Sequence, residues 1–202
     1  GVLSDWSDAE KLATNELVSD WGDENTLNSM YAATDGEFLY VAIDGYAMGL
    51  AFGPNAVVTY IDTDLGAGTG VTDTSVLENN GAVDDALGGT LNISIDGFGA
   101  ELAFATLNMA TYDASENGTK GDAGWRSLTT PADLAWLLEG SVFTTDTGIE
   151  AFIPLTSLYD APDGSIRNVG LVTKLGNGDG SAQSNQSLPA ALSQAATLSF
   201  VY

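Results

Sequence analysis

Short apolar runs separated by glycines are the feature that most constrains the fold of this chain. The 202 residues include 24 glycines, which lie between the apolar segments rather than within long periodic ones. Short runs bounded by turn residues are typical of β-strands. The candidate strands lie at residues 27–33, 38–43, 56–61, 91–95, 101–109, 149–153, 169–175 and 197–202. We therefore predict an all-β fold: a single antiparallel β-sandwich of jelly-roll type spanning residues 1–202.

Two of these strands and one helix can be predicted in more detail. The runs at 38–43 and 56–61 are continuously apolar, which predicts strands buried on both faces. A single short helix is predicted near residues 131–139. Its N-terminus has Thr130 as a capping residue and Pro131 at the first helical position, and Gly140 is a favourable stop.

The charge distribution excludes several classes of partner. The chain has 28 acidic and 5 basic residues, for a net charge of −23, and the basic residues are scattered singly along the sequence. Binding to nucleic acid or to an anionic membrane surface needs clustered cations. No apolar run approaches the roughly 18 residues of a membrane span. We therefore predict no nucleic-acid partner and no membrane insertion.

The absence of Cys and His removes most catalytic chemistry. Thiol nucleophiles, Cys/His zinc sites, histidine general bases and histidine-ligated haem are all excluded. Glu101 and Glu150 lie in predicted strands, and two carboxylates can hydrolyse glycosides, but two acids among 28 carry little weight. We predict that the protein is not an enzyme. A chain without cysteine that begins at Gly1 rather than Met is expected to be the mature form of an exported protein, extracellular or at the cell surface.

Two acidic loops are candidate calcium sites. In the first, Asp62 and Asp64 alternate at the end of a predicted strand and can converge on one ion, and Asp73 could return to it. The alternative is a turn in which aspartates act as local caps. The second loop contains Asp20, Asp23 and Glu24 close together. The alternative interpretation is that this second segment is a solvated surface loop that binds no ion.

The candidate ligand-binding residues are aromatic side chains in polar surroundings. Trp125 lies in a glycine-rich segment beside Asp122 and Arg126. Exposed indoles stack on the C–H faces of sugars while polar side chains bind the hydroxyls. Core packing is the competing interpretation of Trp125. Trp21, in the second acidic loop, is the other candidate, and it could instead pack beneath the sandwich.

The order of motifs along the chain resembles a known superfamily. The segments that carry the resemblance are GVLSDW at 1–6, DWGD at 20–23, LYVAIDG at 39–45, VTYIDTD at 58–64, GIEAFIPL at 148–155 and SNQSLP at 184–189. They are similar to the DOMON-like superfamily, nearest the family 9 carbohydrate-binding-module-like domains of bacterial surface proteins. The resemblance implies a β-sandwich, export, often structural calcium, and no catalytic activity. Some relatives bind sugars between aromatic side chains and others bind haem; without histidine, no haem is expected here.

Two functions from different classes follow from these observations. The first is an extracellular, non-catalytic binding module for a glycan or cell-surface polysaccharide, stabilised by Ca²⁺. The alternative is a structural subunit of a surface layer, matrix or filament that assembles by strand exchange. The resemblance implies a few strand residues before Gly1, and a missing strand would leave backbone groups that a partner chain could pair.

Overall fold

The computed structural model describes residues 3–47, 55–77, 83–88, 95–107, 123–129, 135–137, 140–145, 147–190 and 192–202. Its strands are β1 (Lys11–Thr14), β2 (Asn25–Thr34), β3 (Phe38–Ala47), β4 (Asn55–Asp62), β5 (Leu102–Leu107), β6 (Ala123–Ser127), β7 (Ala135–Leu137), β8 (Ser141–Thr145), β9 (Gly148–Pro154), β10 (Ile166–Asn177), β11 (Gln183–Leu188) and β12 (Ala196–Val201). The described part also contains one α-helix, α1 (Val83–Leu87), and short 3-10 helices at Leu3–Asp5, Thr74–Val76 and Leu155–Ser157. The all-β prediction is confirmed. Within the described residues, no helix is both long enough and apolar enough to cross a bilayer.

The strands form two antiparallel sheets packed together. The first sheet has the order β1-β2-β3-β9-β8, and the second has the order β11-β10-β4-β5-β6-β7. The long strand β10 pairs with β4 on one side. On its other side, its first half pairs with β12 and its second half with β11. The predicted antiparallel sandwich is therefore confirmed.

The main core lies between the two sheets. Side chains alternate between the two faces of a strand, so alternate residues along the strands point into this space. The first sheet contributes Leu27, Met30, Leu39, Val41 and Ile43, and the second contributes Val57, Ile61, Phe104, Trp125, Val169, Leu171 and Leu175. Trp125 is fully buried, with its ring centroid 4.9 Å from that of Phe104.

A second core covers the outer face of the second sheet. Val58 and Tyr60 point away from the main core and pack in a cluster that includes Leu87, Phe98 and Leu128. The Tyr60 hydroxyl donates a hydrogen bond to the Leu87 carbonyl at 2.8 Å, which holds α1 over the strand. Strand β4 is therefore buried on both faces, as its continuous apolar run predicts.

The corresponding prediction for 38–43 is correct on the inner face and only partly correct on the outer face, where Ala42 is buried but Phe38 and Tyr40 are not. Phe38 and Tyr40 lie only half-buried on the outer side of the first sheet. The inward-facing residues Leu39 and Val41 are fully buried. A continuous apolar run does not distinguish a strand covered on both faces from one that carries aromatic rings on an open face.

The predicted helix near 131–139 is wrong where the structure describes it. Residues 135–137 form strand β7, in which Trp136 pairs with Arg126 of β6. Backbone pairing along the β6 edge outweighs the local helix-start signal, because propensity is a weak prior against tertiary context. Residues 131–134 and 138–139 lie outside the described residues.

A buried ion pair connects α1 to the second sheet. Arg126 is fully buried and pairs with Asp84 of α1, which is itself buried. Burial lowers the pKa of Arg126, and the Asp84 carboxylate opposes that shift. The pair fixes α1 against β6.

We expect Trp125→Ala to destabilise the protein by about 3–5 kcal/mol, because truncating a buried aromatic residue leaves a cavity in the main core. Urea unfolding of the parent and the variant in the same buffer measures the loss. Trp21→Ala is the matched control and should lose less, since Trp21 is only half-buried at the edge of this core. An unchanged unfolding midpoint for Trp125→Ala would contradict the burial of Trp125.

Candidate functional site

Three carboxylates converge where β4 ends and β5 begins. Asp62 is the last residue of β4, Asp64 follows two residues later, and Glu101 precedes β5, which pairs antiparallel with β4. One carboxylate oxygen from each of the three lies within 4.8 Å of the others. We call Asp62, Asp64 and Glu101 the acid trio.

Backbone N–H groups hold two of the three carboxylates in place. Asp62 accepts hydrogen bonds from the N–H of Asp64 at 3.0 Å and from that of Gly99 at 2.9 Å. Glu101 accepts from the Thr63 N–H at 2.9 Å. The Thr69 hydroxyl lies 2.8 Å from an oxygen of Asp64 and 2.8 Å from one of Glu101. Its single proton can be donated to only one of them at a time.

Two glycines allow the surrounding segments to approach closely. A Cβ on Gly99 would overlap the Thr69 carbonyl. A Cβ on Gly70, which has a φ of +77°, would overlap both the Gly99 carbonyl and the Glu101 carboxylate. The glycine-rich loop therefore brings Thr69 and Glu101 together by having no side chains at these two positions.

The acid trio has a high electrostatic cost without a bound cation or proton. Asp62 is only 1% exposed. Burial raises its pKa to about 6, the charges of Glu101 and Asp64 act in the same direction, and the two backbone N–H bonds oppose the shift. Three carboxylate ligands are the hard oxygen donors that Ca²⁺ prefers, so the residues present fit a calcium ion.

The structure brings together two of the three residues predicted for the first calcium loop. Asp62 and Asp64 belong to the acid trio, but Asp73 does not. Asp73 instead caps the 3-10 helix Thr74–Val76, where its side chain accepts a hydrogen bond from the Ser75 N–H at 3.0 Å. The alternative of a local cap is thus correct for Asp73. Glu101 takes the third place, and sequence spacing missed it because it lies 39 residues from Asp62 along the chain.

The second predicted calcium loop does not form a comparable cluster. Asp20 accepts hydrogen bonds from the Asn185 N–H at 3.0 Å and the Ser184 hydroxyl at 2.7 Å, and these bonds lower its pKa. Asp23 and Glu24 are exposed. Among the described residues, the acid trio is the group whose carboxylates lie close enough to share a metal ion.

The predicted sugar-stacking role of Trp125 and Arg126 is wrong. Both side chains are fully buried: Trp125 packs on Phe104 in the main core, and Arg126 faces α1 on the opposite side of the sheet. Their polar, glycine-rich surroundings suggested a loop, but β6 is an inner strand between β5 and β7. Asp122 lies outside the described residues. Trp21 is half-buried and packs against the main core.

A groove of about 580 Å³ adjoins the acid trio. Asp64 belongs to both the trio and the groove wall. The other walls include Leu65, Tyr159, Asp163, Ile166 and Arg167. The Arg167 guanidinium lies 4.9 Å from the centre of the Tyr159 ring and donates a hydrogen bond to Asp163 at 3.0 Å. The groove thus combines apolar, aromatic and charged groups beside a candidate cation site.

No protein-family model matches the chain, and no curated protein is significantly similar to it. The resemblance to the DOMON-like superfamily therefore stays a prediction.

We expect the protein in chelator to become more stable as the pH falls from 7 to 5. Because the pKa of Asp62 is raised to about 6 in the folded state, the folded state takes up a proton in this range, whereas the unfolded state does so only near pH 4. The gain is about 1 kcal/mol, or roughly 2–4 °C in the melting temperature. Thermal unfolding measures it.

Asp62→Asn is the control for this experiment, because it removes the titrating group and retains a side chain of similar size. The variant should lose most of the gain between pH 7 and pH 5. An equal gain in parent and variant would show that the effect arises from the other carboxylates of the protein.

Proposed function

We propose that this protein is an extracellular, non-catalytic carbohydrate-binding domain whose fold is stabilised by calcium at the acid trio. The observation that carries the proposal is that the exposed carboxylate of Asp64 is common to the trio and to the adjoining groove. A ligand in the groove would therefore lie beside the cation site. An extracellular location is consistent with a calcium-dependent fold, since weak calcium sites are typical of extracellular modules.

The donor set leaves room for further calcium ligands. Calcium takes six to eight oxygen ligands, and three carboxylates supply that number only if each binds through both oxygens. One Glu101 oxygen accepts the Thr63 N–H, and both Asp62 oxygens accept backbone N–H groups. These hydrogen bonds disfavour fully bidentate binding. Water or ligand hydroxyls would then complete the coordination.

The groove wall offers both apolar and polar groups that can contact a sugar. Leu65, Ile166 and the Tyr159 ring offer apolar surface to C–H groups, while Asp163 and Asn168 offer polar contacts to hydroxyls. With a net charge of −23, the protein should bind neutral sugars in preference to anionic ones.

The positions of the two candidate catalytic glutamates support a non-catalytic role. Glu101 belongs to the acid trio, where the inner strands β4 and β5 of the second sheet meet. Glu150 lies in β9 of the first sheet, where it accepts a hydrogen bond from the Trp6 indole at 2.7 Å. Each glutamate thus has a structural contact of its own: Glu101 in the proposed cation site, and Glu150 with the N-terminal segment.

We expect calcium at a hundredfold excess over Kd to raise the melting temperature by roughly 5–11 °C, because an ion that binds only the folded state stabilises it by about 2.7 kcal/mol. Asp64→Asn and Glu101→Gln should lose most of this shift. Asp73→Asn is the matched control: it removes the same charge from the same loop, and asparagine caps helices as well as aspartate does. Thermal unfolding in chelator, in calcium and in sodium at matched ionic strength measures these effects. Equal shifts in calcium and sodium, or a lost shift in Asp73→Asn, would contradict the assigned site.

We expect Ile166→Ser to weaken binding to a neutral polysaccharide without changing the fold, because Ile166 lines the groove and is 70% exposed. Affinity electrophoresis in gels that contain soluble glucan, mannan or xylan measures the binding, with calcium and with chelator. Circular dichroism checks the fold. Unchanged migration of Ile166→Ser relative to the parent would argue against the groove as the binding site.

A further inference from the structure

The outer face of the first sheet carries a cluster of four aromatic side chains. Phe38 and Tyr40 lie two residues apart on β3 and so share a face. Phe152 of β9 is the cross-strand neighbour of Tyr40, and Phe143 lies on the adjoining edge strand β8. We call Phe38, Tyr40, Phe143 and Phe152 the aromatic face.

The four rings form one contiguous surface centred on Phe152. The ring centroid of Phe152 lies 5.5 Å from that of Phe38, 6.3 Å from that of Tyr40 and 6.1 Å from that of Phe143. The planes of Phe143 and Phe152 are inclined by 26°, and those of Phe38 and Phe152 by 88°. The surface is therefore continuous but not flat.

The aromatic face is partly exposed to solvent. Phe143 is 47% exposed, and the other three rings are half-buried. On the second sheet, α1 and the chain around it bury the outer face. On the first sheet, the described N-terminal segment covers only the part of the outer face next to the four rings, where Leu3 packs over Gly148 and the Trp6 indole donates a hydrogen bond to Glu150, the cross-strand neighbour of Phe143. Contiguous exposed apolar patches of this kind mark interaction sites.

Hydrogen-bond acceptors border the aromatic face. The Tyr40 hydroxyl donates to Asp35 at 2.8 Å, and Asp35 also accepts the N–H groups of Glu37 and Phe38 at 2.9 Å. These bonds fix the Tyr40 ring in place. Asp35 and Glu37 are exposed, so their carboxylates can accept hydrogen bonds from a ligand.

We propose that the aromatic face is a second polysaccharide-binding surface, independent of the cation site, which takes a single soluble chain of neutral sugars. The C–H faces of sugars stack on aromatic rings, and their hydroxyls donate to carboxylates. A net charge of −23 disfavours an anionic polysaccharide and also a second copy of this chain. Rings inclined by 26° to 88° cannot all lie against a flat crystalline surface, whereas successive sugars of a flexible chain can each meet one ring.

The test compares the parent with Phe143→Ala and Phe143→Leu. Both variants remove the ring, and Phe143→Leu keeps an apolar side chain in case truncation to alanine disturbs β8. Val76→Ala is the matched control, since Val76 is 55% exposed and lies in the chain segment beyond β4, away from the first sheet. Binding to soluble glucan, mannan and xylan is measured by affinity electrophoresis in calcium, and binding to microcrystalline cellulose by sedimentation.

We expect the parent to bind at least one of the soluble neutral polysaccharides and the two Phe143 variants to bind it roughly 3–10-fold more weakly, which corresponds to the loss of one aromatic contact. Val76→Ala should bind as the parent does, and the calcium-induced rise in melting temperature should persist in every variant. Tighter binding to microcrystalline cellulose than to any soluble chain would overturn the assigned ligand class.

Three results would overturn the aromatic-face proposal itself. The first is a parent that binds none of the soluble neutral polysaccharides. The second is equal binding by the parent and both Phe143 variants; if Ile166→Ser then weakens binding, the groove proposal stands and the aromatic-face proposal fails. The third is a parent oligomer in analytical ultracentrifugation that Phe143→Ala dissociates, which would make this face a contact between copies of the protein.

Discussion

Burial of strand β4 on both of its faces determines where the two cores and the acid trio lie. Alternate side chains of β4 enter two different cores: Val57 and Ile61 pack between the sheets, and Val58 and Tyr60 pack beneath α1. Burial on both faces means that β4 cannot move without opening both cores. The strand ends at a buried carboxylate, Asp62. The packing of β4 therefore determines where this member of the acid trio lies. The second sheet, which is covered on both faces around β4, supports the candidate cation site, whereas part of the outer face of the first sheet is exposed in the described residues.

The acid trio consists of carboxylates from two segments that lie far apart in the sequence and are brought together by strand pairing. Antiparallel pairing of β4 with β5 brings together residues from two distant parts of the sequence, and the loop glycines let the backbone close around them. Burying a carboxylate beside two others is unfavourable unless a cation or a proton compensates it. The hydrogen bonds from Gly99, Asp64 and Thr63 supply only part of that compensation. The remaining cost is the physical reason to expect an ion.

Local patterns in the sequence predicted the parts of the structure that local forces determine. The strand at 56–61, the convergence of Asp62 and Asp64, and the two-sheet architecture all follow from apolar runs and alternation. Glu101 could not be predicted as their partner, because its approach depends on strand pairing across 39 residues. The sequence leaves Trp125 between a loop and the core, because its neighbours are glycines, and it predicts a helix at Trp136, because a helix-start signal precedes that residue. Pairing among β5, β6 and β7 decides both positions. The aromatic face could not be predicted from the sequence, because Phe38 and Tyr40 alternate with inward-facing residues that are equally apolar.

The buried pair of Arg126 and Asp84 has a consequence for how this sequence can vary among relatives. Removing one partner leaves an uncompensated charge inside the second core, whereas replacing both with apolar residues of similar volume is often neutral or even stabilising. Evolution from the charged pair to an apolar pair, or the reverse, is therefore easiest when both positions change together. In an alignment of homologues, positions 84 and 126 are expected to covary, and a relative with leucine or methionine at one of them should lack the charge at the other.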